Sequence, residues 1–446
     1  MKKWIITDIV MLFGVGVIIF ANYVEPQLRI EGRSGTYIRW KDHSYQLIRD
    51  GSPYSIKGVS LVDIACLSDV AKFGGNSIRL YSTHNAGQIL DSAHKLGLTV
   101  MLGLDLPKAG ADADYSDSAT VNRLKAFIRS EVEKYKDHPA LLFWGLGNEV
   151  DLYVPPRLRN MNRQFKIWKT MDGLAAEIKK IDKNHPIAVS IPAGRLHFRL
   201  IHAITRNIDL ISMNAFATIE KGIFWKILEK FGVAPFYKPH IYSELGVNGY
   251  WGSENTEWFS KYEPTSKEKS AYLAKLYNSL NSPPTYMGSY FFLWGYKQEF
   301  TPTWFSMYTA KGERLELLPA VSAIWKKDFS NSKHGSVQSI DIDRVSKNVY
   351  LEKDARFRLR FSIDSAAEVN SGYAEIREEA EYLTSTFVTK ETVLLQERAF
   401  RLLPGHSTHY LDFTAPSEPG AYRAYLFIRQ KSGFISTANI SFYVLE

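Results

Sequence analysis

The feature that most constrains the fold of this chain is an alternation of short apolar runs with segments of helical periodicity. Ala86–Leu96 is one helical segment and ends at Gly97, while Ala119–Tyr135 and Met161–Ile181 are longer ones. Eight β/α units over about 275 residues predict a (β/α)8 barrel, also called a TIM barrel. The predicted strands are Ser55–Leu61, Ser77–Tyr81, Thr99–Leu104, Leu141–Leu146, Ile187–Ser190, Asp209–Met213, His240–Ser243 and Tyr286–Leu293.

The predicted barrel spans residues 54–329, and a different pattern precedes it. From Thr36 to Ser60 polar and apolar residues alternate, and Asp50-Gly51 is a turn signal, so residues 25–53 are predicted to form a β-hairpin segment. A doubly wound open sheet is the alternative to the barrel. Such sheets typically have fewer strands and a glycine-rich first turn, which this chain lacks.

The pattern changes again after Phe329. The polar segment Asn331–Ser336 is a predicted linker. Beyond it, short alternating strands such as Ala355–Ile363 and Tyr422–Arg429 are separated by turns. Residues 337–446 are therefore predicted to form a small immunoglobulin-like β-sandwich.

The N-terminal residues resemble a targeting segment. Lys2 and Lys3 precede an apolar run from Ile9 to Ala21. This run is short for a membrane span, which needs about 20 residues. We interpret residues 1–24 as a signal peptide, with an uncleaved membrane anchor as the alternative. Either predicts an extracytoplasmic protein that is secreted, periplasmic or membrane-anchored.

Charge and cysteine content exclude several classes of protein. There are 55 Lys and Arg residues against 47 Asp and Glu residues, a net charge of +8, but the basic residues are scattered. No nucleic-acid partner is therefore predicted. Cys66 is the single cysteine, so an internal disulfide is impossible, and no Cys/His spacing suits zinc. We predict neither a metal nor a cofactor, and no feature indicates an oligomeric state.

Two glutamates stand directly after strongly apolar predicted strands. Leu141–Leu146 leads through Gly147 to Asn148 and Glu149, and His240–Ser243 leads to Glu244. In a (β/α)8 barrel, active-site residues emerge from the carboxyl ends of the strands. The fourth and seventh strands face each other across a closed barrel, so the two carboxylates can meet at its mouth. Cleavage of a glycosidic bond with retention needs such a pair about 5–5.5 Å apart.

Four segments carry a resemblance to a known group of enzymes. Trp144–Glu149 resembles the strand-4 motif W-x-x-x-N-E of the retaining glycosidases of clan A. Tyr242–Gly246 resembles the strand-7 nucleophile motif of this clan, and Phe73–Tyr81 resembles its strand-2 signature. Phe292–Trp294 resembles the segment that holds its strand-8 tryptophan. The closest likeness is to the catalytic barrel of glycoside hydrolase family 2, over Tyr54–Phe329.

This resemblance implies a role for each matching residue. It makes Glu149 the acid/base catalyst and Glu244 the nucleophile. It also implies that Asn148 binds the sugar 2-hydroxyl, that Arg79 orients the nucleophile, and that Trp294 stacks on the sugar.

Three further residues are predicted on the substrate side: Tyr81 after the second strand, Asn214 after the sixth, and Trp251 in the loop after the seventh. Asn214 is also expected to help keep the nucleophile ionised.

Family 2 often has a tyrosine near the end of strand 6, and its hydroxyl contacts the nucleophile. This chain has Phe216 there, so that hydroxyl is either missing or supplied from elsewhere.

The predicted activity is hydrolysis of a β-linked glycoside or polysaccharide by double displacement through a covalent glycosyl-enzyme, with a carbohydrate as the partner. A transglycosylase with the same residues is one alternative, because sequence does not distinguish water from a sugar as the acceptor. A catalytically silent carbohydrate-binding protein of the cell surface is the second alternative. The intact pair Glu149 and Glu244 argues against it.

Overall fold

The computed structural model of the chain describes residues 35–154, 157–193, 195–216, 238–279, 284–328, 335–365, 368–380, 391–402 and 405–446. The predicted signal or anchor segment, residues 1–24, and most of the predicted linker lie outside these ranges. The chain divides into two compact units. The first contains the described residues between 35 and 215, 238–245 and 284–291. The second contains Phe216, 246–279 and the described residues from 292 onwards.

The first unit begins with three short antiparallel strands, β1 (Thr36–Lys41), β2 (Ser44–Arg49) and β3 (Ser52–Pro53). Asp42 and His43, between β1 and β2, both have positive φ, at 52° and 60°. This is the backbone of a type I′ hairpin turn, and it matches the twist of the flanking strands. The predicted Asp50-Gly51 turn lies between β2 and β3.

Eight strands then close into a barrel, in the order β10-β11-β4-β5-β6-β7-β8-β9 around its wall. The strand pairs with a described register are all parallel. The strands are β4 (Ile56–Leu61), β5 (Ser77–Leu80), β6 (Thr99–Leu104), β7 (Leu141–Asn148), β8 (Ile187–Pro192), β9 (Leu210–Ala215), β10 (His240–Leu245) and β11 (Tyr286–Trp294).

Helices follow most of these strands along the chain, as the predicted alternation requires. Over the described ranges, no helix combines the length and the apolar character needed to cross a membrane. The helices are α1 (Leu67–Phe73), α2 (Ala86–Lys95), α3 (Ser118–Tyr135), α4 (Met161–Ile181), α5 (Arg195–Ile204), α6 (Ser266–Ser279) and α7 (Leu317–Lys326).

The hairpin β1–β2 covers the amino ends of the barrel strands. Tyr45 and Leu47 of β2 belong to one buried cluster with residues near the starts of strands, such as Leu142 and Ile241. The backbone N–H of Tyr45 donates to the carbonyl of Pro284, just before β11. With this end covered, the carboxyl ends of the strands form the open mouth, where barrel enzymes hold their active sites.

A buried carboxylate fixes the turn that leads into β8. Asp182, whose side chain is 1% exposed, accepts hydrogen bonds from Trp144 Nε1 and His185 Nδ1, each at 2.8 Å. The backbone N–H of Asn184 donates to its other oxygen at 2.7 Å. Burial alone would raise the pKa of Asp182, but the hydrogen bonds from His185, Trp144 and Asn184 outweigh it and hold this pKa below its usual value.

We therefore expect Asp182→Ala to lower the free energy of unfolding by about 2–4 kcal/mol at pH 7, because buried donors lose their acceptor. The contribution of Asp182 should be complete above the unfolded-state pKa, about 3.9, and should be lost as pH falls through the lower folded-state value. Urea unfolding of both proteins between pH 3 and 7 measures this. If the difference in free energy of unfolding between the wild-type protein and Asp182→Ala grew towards pH 3, the proposed stabilising role of the Asp182 carboxylate would be wrong.

The second unit contains α6, α7 and a sandwich of two sheets. One sheet has the order β12-β14-β17 and the other β13-β19-β18-β15-β16. Both contribute to one apolar core, with Leu359 and Phe413 from the first sheet and Leu426 and Phe442 from the second. The strands are β12 (Val337–Ile342), β13 (Val349–Leu351), β14 (Arg356–Ile363), β15 (Val369–Glu378), β16 (Leu394–Arg401), β17 (Thr408–Thr414), β18 (Gly420–Gln430) and β19 (Ile435–Val444).

Candidate active site

The predicted site residues of the first unit lie together at the carboxyl ends of the barrel strands. Arg79 is on β5, Asn148 ends β7, Asn214 is on β9 and Glu244 is on β10, while Glu149 follows β7 directly. Three of these strands run further than predicted, so Asn148, Asn214 and Glu244 still pair with neighbouring strands. Strand pairing therefore fixes the backbone beneath each of these side chains.

Arg79 is the centre of the site and is only 2% exposed. Its Nη1 donates to Glu244 Oε1 at 2.9 Å and to the carbonyl of Ser243 at 3.0 Å. Its Nη2 donates to Asn148 Oδ1 at 2.8 Å and to Ser190 Oγ at 3.2 Å. With a further contact from Nη1 to Asn214 Oδ1 at 3.5 Å, the buried guanidinium reaches acceptors on four other strands and orients its neighbours. The Glu244 carboxylate is paired with its positive charge.

Asn214 links the two candidate catalytic residues. Its Nδ2 donates to Glu149 Oε1 at 2.9 Å and to Asn148 Oδ1 at 3.1 Å. Its Oδ1 accepts a hydrogen bond from Ser243 Oγ at 2.8 Å. These contacts fix the orientation of the amide, because a flipped amide would place its oxygen against the acceptor oxygens of Glu149 and Asn148. Glu149 and Glu244 therefore belong to one connected network.

The backbone at Glu149 is unusual. Glu149 has φ +47°, in the left-handed region that non-glycine residues seldom adopt. Its N–H donates to the carbonyl of Ser190 at 2.7 Å. Two residues earlier, Gly147 has φ +70°, and a Cβ there would lie 2.5 Å from Val150 Cγ1. The end of β7 thus needs a glycine, and the strained backbone of Glu149 itself sets the direction of its side chain.

Tyr81 supplies the hydroxyl that the sixth strand lacks. Its hydroxyl donates to Glu244 Oε1 at 3.0 Å, and the Arg79 guanidinium carbon lies 4.3 Å from the centre of its ring. Desolvation, and then the charge of Glu244, raises the pKa of Tyr81 well above its usual range. The hydroxyl therefore stays protonated and donates throughout the neutral range. Tyr81 was predicted on the substrate side, and the structure places it against the carboxylate of Glu244.

The loop after β6 braces the turn that carries Glu149, and sequence reasoning missed it. Lys108 Nζ donates to the carbonyl of Asn148, and the N–H of Ala109 donates to the carbonyl of Val150 at 2.6 Å. Ser190 and Ser243 were also missed. The available signal was a hydroxyl inside each of two buried strands, β8 for Ser190 and β10 for Ser243.

The two predicted tryptophans belong to the second unit and differ in exposure. Trp294 is fully buried, with its ring 6.0 Å from that of Tyr308 and 6.1 Å from that of Trp325. Its predicted role as a sugar platform is therefore wrong for this structure, because neighbouring rings cover it. Trp251 is 54% exposed and rests on Phe216, with ring centres 5.4 Å apart. It offers an accessible aromatic surface of the kind that stacks on sugars.

The described residues include no group of three or more His, Cys, Asp or Glu side chains arranged to hold a metal ion. The chemistry available at the barrel mouth is that of two carboxylates, an arginine, two amides and a phenol. Such groups transfer protons, stabilise charge and attack carbon.

No family model matches the sequence, and no curated protein matches it. Among solved structures, the chain is similar to a β-glucuronidase of Bacteroides uniformis, with 14% identity and a TM-score of 0.50, over 92% of this chain and 48% of that one. A putative β-galactosidase from Bacteroides fragilis has 14% identity and a TM-score of 0.48, over 93% and 57%. A β-D-glucuronidase of Dictyoglomus thermophilum has 15% identity and a TM-score of 0.48, over 66% and 54%.

This chain spans about half the length of these solved structures. At such low identity, the likeness to the Bacteroides uniformis enzyme shows the fold alone. The predicted fold, a (β/α)8 barrel followed by a β-sandwich, is confirmed by the closed parallel barrel, the two C-terminal sheets and this likeness. The predicted resemblance to the barrel of glycoside hydrolase family 2 is confirmed at the level of the fold.

Proposed function

We propose that this protein is a retaining glycoside hydrolase that cleaves a β-linked glycoside. The observation that carries the proposal is the network at the barrel mouth. It joins Glu149, through Asn214 and Asn148, to Arg79 and Glu244. Two carboxyl groups held in different surroundings at the same end of the barrel supply the acid and the nucleophile that acid-assisted displacement at a sugar carbon requires.

In the first step, Glu244 attacks the anomeric carbon of the sugar, and the bond from that carbon to the leaving oxygen breaks. Glu149 gives its proton to the leaving oxygen, so the aglycone departs as a neutral alcohol. The products of this step are a glycosyl ester on Glu244 and an ionised Glu149. The ion pair with Arg79, at 2.9 Å, favours the charged form of Glu244 that this attack needs.

In the second step, Glu149 acts as a base and removes a proton from a water molecule. This water attacks the anomeric carbon from the face that the aglycone left and releases Glu244. Two inversions at one carbon give net retention of configuration. If a sugar hydroxyl replaced water in this step, the same residues would carry out transglycosylation.

Asn148 is the residue that we propose to bind the sugar beside the scissile bond. Its Oδ1 already accepts hydrogen bonds from Arg79 and Asn214. These two bonds leave Nδ2 as the group available to a ligand, so a sugar hydroxyl at this point would be an acceptor.

We expect Tyr81→Phe to lower kcat about 10- to 100-fold with a smaller change in KM, because the hydroxyl steadies the carboxylate that must attack. Removal of a hydrogen-bond donor makes a carboxylate harder to ionise, so the acidic limb of the pH–rate profile should move to higher pH. Steady-state kinetics between pH 4 and 9 measure both effects. Unchanged kcat with an unchanged acidic limb would rule out this role.

The proposed function is tested by trapping with a panel of activated 2-deoxy-2-fluoro β-glycosides, including glucuronide and galactoside because the similar solved structures bear those names. These compounds slow release of the glycosyl-enzyme more than its formation. We expect one equivalent of label on Glu244, and the reactive compound identifies the sugar. Labelling of another residue would overturn the assignment. No labelling and no turnover would favour the silent carbohydrate-binding alternative.

We also propose that the protein acts outside the cytoplasm. Lys2, Lys3 and the apolar run from Ile9 to Ala21 support this. Cell fractionation with N-terminal sequencing of the recovered protein tests it. A mature start near residue 25 would indicate a cleaved signal, an intact protein in the membrane fraction would indicate an anchor, and an intact cytoplasmic protein would contradict the proposal.

A further inference from the structure

A surface cavity of about 500 Å³ lies in the first unit, between the loop after β6 and the first two turns of α4. Its volume is in the range of about 300–1,000 Å³ that is usual for small-molecule sites. Its walls are mainly polar, and none of the roles proposed above uses it. The side chains that matter are Asp112, Asp114, Ser116, Arg163 and Lys166.

The loop wall of this cavity is held in place by its own hydrogen bonds. Asp112 Oδ2 accepts from the N–H of Lys108 at 3.1 Å, and Asp114 Oδ1 accepts from Ser116 Oγ at 2.7 Å. Beneath them, the Tyr115 hydroxyl donates to the carbonyl of Pro107 at 2.8 Å. A wall fixed in this way presents its carboxylates to a ligand with little loss of conformational entropy.

The cavity begins next to the proposed acid/base residue. Ala109, which lines it, donates its N–H to the carbonyl of Val150, and Val150 directly follows Glu149. In the proposed reaction Glu149 protonates the oxygen of the leaving group. The leaving side of the substrate therefore lies towards Glu149, on the segment whose backbone the cavity wall contacts through Ala109.

The charges of the lining select the class of ligand. Two carboxylates, Asp112 and Asp114, are balanced by two cations, Arg163 and Lys166, so the cavity has no net preference for an anion or a cation. Closely placed acceptors and donors suit vicinal hydroxyl groups, which both donate and accept. We propose that this cavity is a distal binding subsite for neutral sugar units on the leaving-group side, an inference that rests on the proposed glycosidase function.

The test uses Ala111→Trp, which fills the cavity from an exposed position on its wall. Kinetics are compared on an aryl β-glycoside, which ends near the cleaved bond, and on a neutral β-linked oligosaccharide with the same terminal sugar. We expect kcat/KM to fall about 10-fold on the oligosaccharide and less than about 2-fold on the aryl glycoside. The 10-fold loss corresponds to about one lost hydrogen-bonded contact. Arg163→Ala, which adds no bulk, should reproduce the selective loss.

Lys169→Ala is the matched control, because Lys169 is exposed on the same helix and its ammonium lies over the ring of Phe165 rather than in the cavity. It should leave both substrates unaffected. Equal effects of Ala111→Trp on both substrates, or none on either, would overturn the subsite. A larger effect on an oligosaccharide that carries uronic acid or sulfate would overturn the neutral class.

Titration calorimetry with the neutral oligosaccharide separates this inference from the proposed function. If no glycoside is turned over but Ala111→Trp still weakens oligosaccharide binding about 10-fold, the glycosidase proposal fails and the sugar-binding cavity stands. If turnover occurs and the wild-type protein and Ala111→Trp bind the oligosaccharide equally well, the proposed function stands and the proposed subsite fails. Absence of both turnover and binding overturns both.

Discussion

Replacement of Glu244 by alanine is expected to reduce kcat on every β-glycoside substrate by on the order of 10⁴-fold or more. The variant lacks the oxygen that attacks the anomeric carbon, so the covalent intermediate cannot form. It also leaves Arg79 and Tyr81 without the carboxylate to which both donate, at 2.9 Å and 3.0 Å. Steady-state kinetics on an activated aryl glycoside measure the loss.

Sodium azide distinguishes a missing nucleophile from a damaged fold. In Glu244→Ala, azide can occupy the space of the lost carboxylate and attack the anomeric carbon directly. A single displacement inverts the configuration, so the product should be the α-glycosyl azide. Glu133→Ala is the matched control, because Glu133 is exposed on α3 and pairs only with Lys136 among the contacts described for it. Loss of activity in this control, or a β-azide from Glu244→Ala, would contradict the assignment of Glu244.

The strands of the barrel could be predicted because a parallel strand covered on both faces is an almost continuous apolar run. Thr99–Leu104 met this condition, and β6 occupies those residues. The ends of strands were placed too early where polar residues follow, as at Asn148 and Glu244. These side chains bond to partners on other strands, so the strand continues through them, and sequence does not show such partners.

The position of Glu149 and Glu244 at the carboxyl ends of barrel strands could be predicted, but the contacts of their neighbours could not. Tyr81 and Glu244 are separated by 163 positions, and only closure of the barrel brings the hydroxyl of one to the carboxylate of the other. For Trp294, by contrast, a role was predicted that the packing of the structure prevents. A motif specifies the residue type, but Tyr308 and Trp325, from later in the chain, cover its ring. The lesson is that strand patterns locate a site, while long-range packing decides which side chains face the substrate.

Replacement of Glu149 by alanine is expected to give a different pattern of loss. General acid catalysis contributes about 10²–10⁴-fold, and it matters most when the leaving group is poor. We therefore expect kcat/KM to fall by about that factor on an alkyl glycoside or an oligosaccharide, and much less on a dinitrophenyl glycoside. With the dinitrophenyl substrate, the first step should proceed and the glycosyl-enzyme should accumulate, because no base activates water. A burst of dinitrophenol in rapid-mixing kinetics measures this.

With azide, Glu149→Ala should give a product of the opposite anomeric configuration to the product from Glu244→Ala. In Glu149→Ala the anion attacks a glycosyl-enzyme that Glu244 has already formed, so two inversions yield the β-glycosyl azide. The hydrogen bond from Asn214 Nδ2 to Glu149 Oε1 is lost in this variant, but the ion pair of Arg79 with Glu244 is not directly altered. An α-azide from Glu149→Ala, or equal losses on good and poor leaving groups, would mean that the two carboxylates do not have the roles assigned to them. Because the two variants must give products of opposite configuration, one pair of measurements tests both assignments and the retaining mechanism together.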